Sequence, residues 1–274
     1  MATPSDQRSR AMKMLKKGQP SAKEIDIHSR LYNPNICRFV ESFEYENQTC
    51  IVMEHATRGT LHEYGQKWGC LPEHVAQTCL KGMHNGAKYM HNEGFAHLDL
   101  KPGNVLMTPR DVKLADFGHS VKILMDRQVL GFRGTPEYMA PELLSAPYKA
   151  HDPKKADVYS LGVILYAMLM GAPPRINDRI FYIGNQLQTT NIDIPDYSGN
   201  FFRPSDNGWC ETRFQLTHEV KQLLSSMLDK DPEARITMES IEQHKWMKMR
   251  LPSRFSEYEN RGESLMDLPR HFIY

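Results

Sequence analysis

The sequence predicts an α+β protein of two unequal lobes, a small strand-rich one followed by a large helical one with a cleft between them. Two apolar-rich runs near the start, Phe39–Tyr45 and Thr49–Glu54, flank Glu46-Asn47-Gln48, which is the pattern of a hairpin. From Pro72 onward helical periodicity dominates. Strands gathered ahead of helices point to an α+β layout, with a site where the two parts meet.

Bulk properties narrow the field. A chain of 274 residues, 40% hydrophobic and 24% charged, is long enough to bury a substantial core. Its 34 basic and 33 acidic side chains give a formal charge of +1, without the basic excess of a nucleic-acid binder, although a local basic patch is compatible with that total. The 5 cysteines are scattered with no CxxC pair, which fits reduced thiols in an intracellular, cytoplasmic setting (the nucleus included) better than a disulfide framework or a structural zinc site. The longest apolar stretch, Gly162–Met170, is too short to span a bilayer, so no membrane role is expected. Arg8–Lys17 is basic and mildly amphipathic; an organelle-targeting peptide is the lesser reading, since Gly18 and Pro20 cut the segment short.

In chain order, Ala11–Lys16 reads as a strand, Gly18-Gln-Pro20 as a turn and Ser21–Leu31 as a helix, followed by the hairpin. Val75, Cys79, Met83, Ala87 and Met90 then share one helical face that stops at Asn92-Glu93-Gly94. Short strands are expected at Val105–Met107 and Val112–Leu114, and helices at Asp157–Met170, Thr217–Leu228 and Thr237–Trp246.

The chemistry is concentrated in HLDLKPGNVLMTPRDVKLADFG, His97–Gly118. Asp99 and Asn104 share a loop, and Asp116 follows the second short hairpin. Oxygen donors converging in this way suit magnesium, a hard cation that also takes phosphate oxygens. Loop polarity alone would also place Asp and Asn there, but His97, Lys101, Phe117 and Gly118 stand in register with them.

This block resembles the catalytic loop and metal-binding triplet of the eukaryotic-type serine/threonine protein kinases. GTPEYMAPE (Gly134–Glu142), DVYSLGVILYAMLMG (Asp157–Gly171) and DPEARIT (Asp231–Thr237) extend the resemblance from about Ala11 to Trp246. It implies a bilobal protein-kinase-like fold with a polar N-terminus over 1–10, a truncated small lobe with its hinge over 11–56, a large helical lobe over 57–250 and a tail over 251–274. The activity implied is transfer of the γ-phosphate of ATP, with Mg2+, to serine or threonine hydroxyls of a protein substrate.

Carried over position by position, Asp99 would accept or orient the hydroxyl proton, Lys101 would steady the phosphoryl group and Thr135 would support the loop. Asn104 and Asp116 would hold magnesium. Asp157 would anchor the loop backbone, and Glu142 would pair with Arg235. Met53 would back the adenine pocket, the backbones of Glu54 and Ala56 would hydrogen-bond the base, and Ala11 and Leu106 would sandwich it. His97, Phe117 and Phe39 would join the lobes in an apolar column in which His28 takes a place usually apolar. Lys13 resembles the lysine that contacts the ATP phosphates, although an alternating apolar/basic stretch is also what a surface strand shows. Glu24 either pairs with Lys13 or, in Ser21-Ala-Lys-Glu24, closes a capping box.

The sequence departs from the family pattern in several places. No GxGxxG precedes Lys13, and the residues ahead of it are too few for two strands and a turn. A truncated or alternative product is the favoured expectation, because the other chemical residues are present; an open-topped cleft is the other reading. Leu98 stands where an arginine would receive an activation-loop phosphate, and Gly131 stands at the usual phosphorylation position, so switching by loop phosphorylation is not expected. Thr60 and Gly103 occupy places where basophilic relatives keep glutamates. Arg175–Phe214 is long enough to dock a regulatory protein partner. The calcium/calmodulin-dependent and AMP-activated groups are the nearest in style, and a catalytically impaired interaction scaffold is the alternative function.

Overall fold

The computed structural model describes residues 9–16, 21–109, 111–123, 133–145, 150–174, 180–183, 186–189, 192–198, 201–205, 208–212 and 215–251. The expected phosphorylation position Gly131, most of the polar N-terminus and the tail beyond Leu251 lie outside these residues.

The small lobe is a 3-stranded antiparallel sheet in the order β1-β3-β2, built from β1 (Arg10–Lys16), β2 (Phe39–Tyr45) and β3 (Gln48–Glu54), with helix α1 (Ser21–Arg30) packed on it. Ala11 faces Met53 and Lys13 faces Ile51 across the β1–β3 ladder. Alternation along β1 leaves Met12 and Met14 exposed and turns Lys13 inward toward α1, as the two-residue side-chain period of a strand requires. Glu46 and Asn47 take positive φ, the conformation that closes a tight hairpin.

Chain order continues with α2 (Leu61–Trp68), α3 (Glu73–Asn92), β4 (Phe95–Ala96), β5 (Val105–Met107), β6 (Val112–Leu114), β7 (Val121–Lys122), α4 (Pro141–Ser145) and α5 (Pro153–Met170). Hairpins β8 (Ile180–Ile183)–β9 (Gln186–Thr189) and β10 (Phe201–Ser205)–β11 (Gly208–Thr212) follow, then α6 (His218–Met227), α7 (Met238–Gln243) and α8 (Lys245–Lys248). The core lies between α3 and α5. Helix α5 is apolar on all sides, with Leu161, Val163, Ile164 and Leu165 inaccessible to solvent, as expected of a helix surrounded by others. Among the described residues no helix is long and apolar enough to cross a membrane.

The expected strands and helices form, with instructive shifts at their ends, while the expected Gly18-Gln-Pro20 turn lies outside the described residues. Helix α5 begins at Pro153, earlier than Asp157, because Asp152 caps it through Lys154 N at 2.9 Å and proline suits the first turn. The helix expected over Thr237–Trp246 is two helices, α7 and α8. His244 at ψ 140 breaks them and re-caps the second through Trp246 N. Helix α2 went unread because its short window contains Gly65 and only three large apolar residues, Leu61, Tyr64 and Trp68; a Thr60–Glu63 capping box starts it.

Candidate active site

The catalytic loop is fixed from below by one buried carboxylate. Asp157 on α5 accepts from the backbone of His97 and of Leu98, each at 2.8 Å, and from His91 Nε2 at 2.8 Å. Three donors on a solvent-free carboxylate satisfy the demand that a buried charge be hydrogen-bonded. His91 was missed in the sequence, where it reads as the end of the α3 face; only its place in the last turn marks it. His97 donates from Nε2 to Ala115 O at 3.1 Å and accepts at Nδ1 from Asp99 N at 3.3 Å. Burial pushes its pKa down, so the ring is held as a neutral spacer between loop and hairpin.

The loop delivers Asp99 to a small polar cluster. Thr135 Oγ1 donates to Asp99 Oδ1 at 2.8 Å, Lys101 Nζ lies 2.9 Å from Asp99 Oδ2, and Lys101 Nζ donates to Thr135 Oγ1 at 2.8 Å. The preceding Gly134 makes this approach possible. Its φ is +94°, and a Cβ there would stand 2.3 Å from Leu98 O, so the position needs glycine for both conformation and space. Leu98 itself joins the apolar core, and no cation occupies its place.

Asn104 turns its amide nitrogen to Asp99, meeting Asp99 O at 2.9 Å and Oδ2 at 3.0 Å. Ala115 N donates to Asn104 O at 2.9 Å, so Asn104 and Asp116 sit at the same end of the β5–β6 hairpin. Asp116 takes a positive φ of 63°. The donor set there is one carboxylate and one amide oxygen, hard ligands of the kind magnesium takes together with substrate phosphates and water. Among the described residues no group of three or more His, Cys, Asp or Glu could hold a metal ion.

The small lobe contributes Lys13, whose Nζ lies 2.8 Å from both Glu24 Oε1 and Asp116 Oδ1. Glu24 therefore reaches Lys13 from α1 despite the short spacing. Burial lowers the Lys13 pKa, but the hydrogen bonds it donates to Asp116 and Glu24 outweigh that and leave the amine above its ordinary value. Burial likewise raises the Asp116 carboxyl, and the Lys13 hydrogen bond and charge reverse that and hold it below the usual range.

Beside this pair stands a column of rings. His28 lies 4.7 Å from Phe117 and 5.5 Å from Phe39, and His97 lies 5.5 Å from Phe117, centroid to centroid. His28 Nε2 donates to Cys37 O at 2.7 Å, and burial depresses its pKa.

The remaining expected positions are spread around the hinge. Met53 lies in β3 between Ala11 and Phe39, Ala56 follows that strand half-buried, and Leu106 sits on β5, bridged by Thr60. The Glu54 amide is engaged by Arg38 O at 2.9 Å, while its carboxylate accepts from Arg38 N at 2.7 Å and pairs with Lys113 at 2.8 Å. That link across the hinge was not foreseen. Farther out, Arg235 meets Glu142 through two bonds of 2.7 and 2.9 Å.

A two-lobed fold that gathers a carboxylate, a bridging lysine and oxygen donors at its interlobe face has the layout expected of a phosphoryl-transfer domain. Residues 3–247 match the family model described as the protein kinase domain, and the chain belongs to that family. It is 36% identical over 272 residues to the serine/threonine-protein kinase SRK2C of Arabidopsis thaliana, covering 94% of this chain and 72% of that protein. It is 34% identical to SAPK3 of Oryza sativa subsp. indica, covering 86% and 68%. With the probable serine/threonine-protein kinase MARK-A of Dictyostelium discoideum it shares 31% identity over 86% of its own length, but spans only 21% of that longer protein. These likenesses place it on the serine/threonine side of the family, and the scaffold alternative is not favoured.

Proposed function

We propose that this chain binds ATP with Mg2+ and transfers the γ-phosphate to serine or threonine hydroxyls of a protein substrate, with Asp99 orienting the acceptor hydroxyl and taking its proton. The observation that carries this reading is the Asp99–Lys101–Thr135 cluster, in which a base, a cation and a hydroxyl from two distant stretches meet within hydrogen-bond distance. Lys101 is placed to neutralise charge on the transferring group, and Lys13, held by Glu24 and Asp116, to meet the other phosphates. Magnesium, bound with the nucleotide through Asn104 and Asp116, would supply charge neutralisation at the phosphate oxygens. Ala11, Met53, Leu106, the Glu54 carbonyl and the Ala56 backbone would form the adenine side, the Glu54 amide being taken by Arg38 O. The free, buried Cys37, Cys50, Cys70 and Cys79 support a reducing, cytoplasmic setting.

The test is radiolabelled phosphate transfer from Mg-ATP to a generic protein substrate, run alongside a thermal-shift titration with Mg-ATP. Asp99→Asn is expected to lower transfer by about 10²–10⁴-fold while keeping the nucleotide-induced shift. Undiminished transfer by Asp99→Asn, or wild-type protein with neither transfer nor shift, overturns the proposal.

A further inference from the structure

The sheet of the small lobe has two unlike faces. From the inner face Lys13 reaches Glu24 and Asp116. Alternation puts Met12 and Met14 of β1 on the opposite, outer face, together with Phe43 and Tyr45 of β2. These four are exposed by 53, 50, 44 and 54% respectively. Cys50 of β3 pairs across with both Met14 and Phe43 and is itself only 1% exposed, so the middle of the face is closed and apolar. Single apolar side chains on a surface are ordinary, but four gathered on one small face mark a contact site.

The charges around this face select its occupant. Arg10 and Lys16 stand at opposite ends of β1 and, by the same alternation, on its outer face. Glu41 lies on the outer face of β2, and the exposed Glu46 is in the turn that follows. Among the described residues β1 and β2 are the two edges of the sheet, so one edge is basic and the other acidic. A face of that polarity is complementary to itself. A two-fold axis parallel to the strands lays β1 of one copy over β2 of a second, bringing Lys16 toward Glu46 and Arg10 toward Glu41, with each contact made twice. An axis across the strands would instead lay β1 on β1 and set Arg10 against Lys16, which like charges oppose. Aligned packing of two such faces accommodates the angle of about 30° that sheet twist imposes. Strands about 4.8 Å apart, rising about 3.3 Å per residue, give a footprint of roughly 300 Å². That is small beside the roughly 800 Å² per partner of a standard interface, so the association is reversible and concentration-dependent.

We propose that the outer face of the small-lobe sheet is the contact of a weak homodimer, in which two copies of this chain pack face to face with β1 of each over β2 of the other. The contact lies on the side of the sheet away from Lys13, so dimerisation uses none of the residues of the phosphoryl-transfer site and is independent of the activity.

The experiment is sedimentation velocity of the full chain from low to high micromolar concentration. The mass is expected to rise with concentration from 31.7 kDa toward twice that value. Met14→Glu, at a position already half exposed and therefore harmless to the fold, is expected to weaken association about a hundredfold or more, because the two-fold axis buries two unpaired carboxylates. Lys16→Glu and Glu46→Lys are each expected to weaken it about tenfold. An equimolar mixture of those two variants is expected to recover wild-type association as a heterodimer, in which both facing pairs are again opposite in sign. A chain monomeric throughout overturns the proposal, as does Met14→Glu associating like the wild type, Lys16→Glu associating more tightly, or a mixture no tighter than its components. Should the wild type stay monomeric while Met14→Glu lowers the unfolding temperature, another segment of the same chain covers the face, which likewise overturns it.

Discussion

Lys13 is the residue whose role was hardest to read from a single sequence and is easiest to state from the geometry. In an alternating strand it looks like a surface cation, and only the inward turn of β1 brings it to two carboxylates. Lys13→Met is expected to leave those carboxylates unpaired and to lower phosphate transfer by about 10²-fold or more, a loss of the size seen when one preorganised electrostatic group is removed. Steady-state transfer rates at saturating ATP check this.

His28 carries a pH dependence of definite sign. Burial holds its pKa below 6.5, with the Lys13 cation acting the same way and the Cys37 carbonyl, Asp116 and Glu54 opposing. The unfolded chain therefore takes up the proton first as pH falls below 6.5, and folding loses stability from there downward. His28→Leu is expected to flatten the fall in denaturation midpoint between neutral and mildly acid pH. An unchanged slope would show that the ring does not titrate as described. Motif register in the sequence was enough to single out Asp99, Asn104 and Asp116 as candidates, because these positions lie in one contiguous block. His91 and the Glu54 carboxylate escaped, since each acts through a partner distant in the chain.

At the scale of the element, two glycines in helices make opposite forecasts. A Cβ at Gly86 on α3 would stand 2.8 Å from Asn35 O, a backbone atom that cannot swing aside. Alanine gains about 1 kcal/mol of helix propensity, but overpacking costs typically 1–3 kcal/mol, so Gly86→Ala is expected to destabilise. Gly65→Ala on α2 meets open space and is expected to stabilise by about 0.5–1 kcal/mol. Urea denaturation of both variants separates propensity from packing. The same contrast explains what could be read in advance. Helix α3 announced itself through a long apolar face, whereas α2 depends on a cap and a short buried edge at Leu61 and Trp68, too brief for periodicity to reveal. The break at His244 is a capping event that no apolar pattern records.

Across the whole molecule, the pair Glu142–Arg235 ties the α4 region to the segment between α6 and α7. Arg235 also donates to Asp229 O and Lys155 O, at 2.9 and 2.8 Å, and lies 4.8 Å from the Tyr159 ring. Removing one partner of such a buried pair leaves the other charge stranded, so Glu142→Gln is expected to cost about 3–5 kcal/mol, measured by chemical denaturation. The two-lobed plan was legible because strand and helix periods occupy separate stretches of the chain. The β8–β11 hairpins were not, since Arg175–Phe214 mixes apolar, proline and polar residues without a sustained period.

The contact at Gly134 reaches further than its size suggests. Two strands of chain graze one another there only because a single hydrogen stands where carbon would otherwise be, and the neighbouring hydroxyl and carboxylate inherit their alignment from that narrow clearance. One methyl group, wedged beneath Asp99, would tilt that alignment: Gly134→Ala is expected to keep nucleotide-induced stabilisation while losing the rate of transfer.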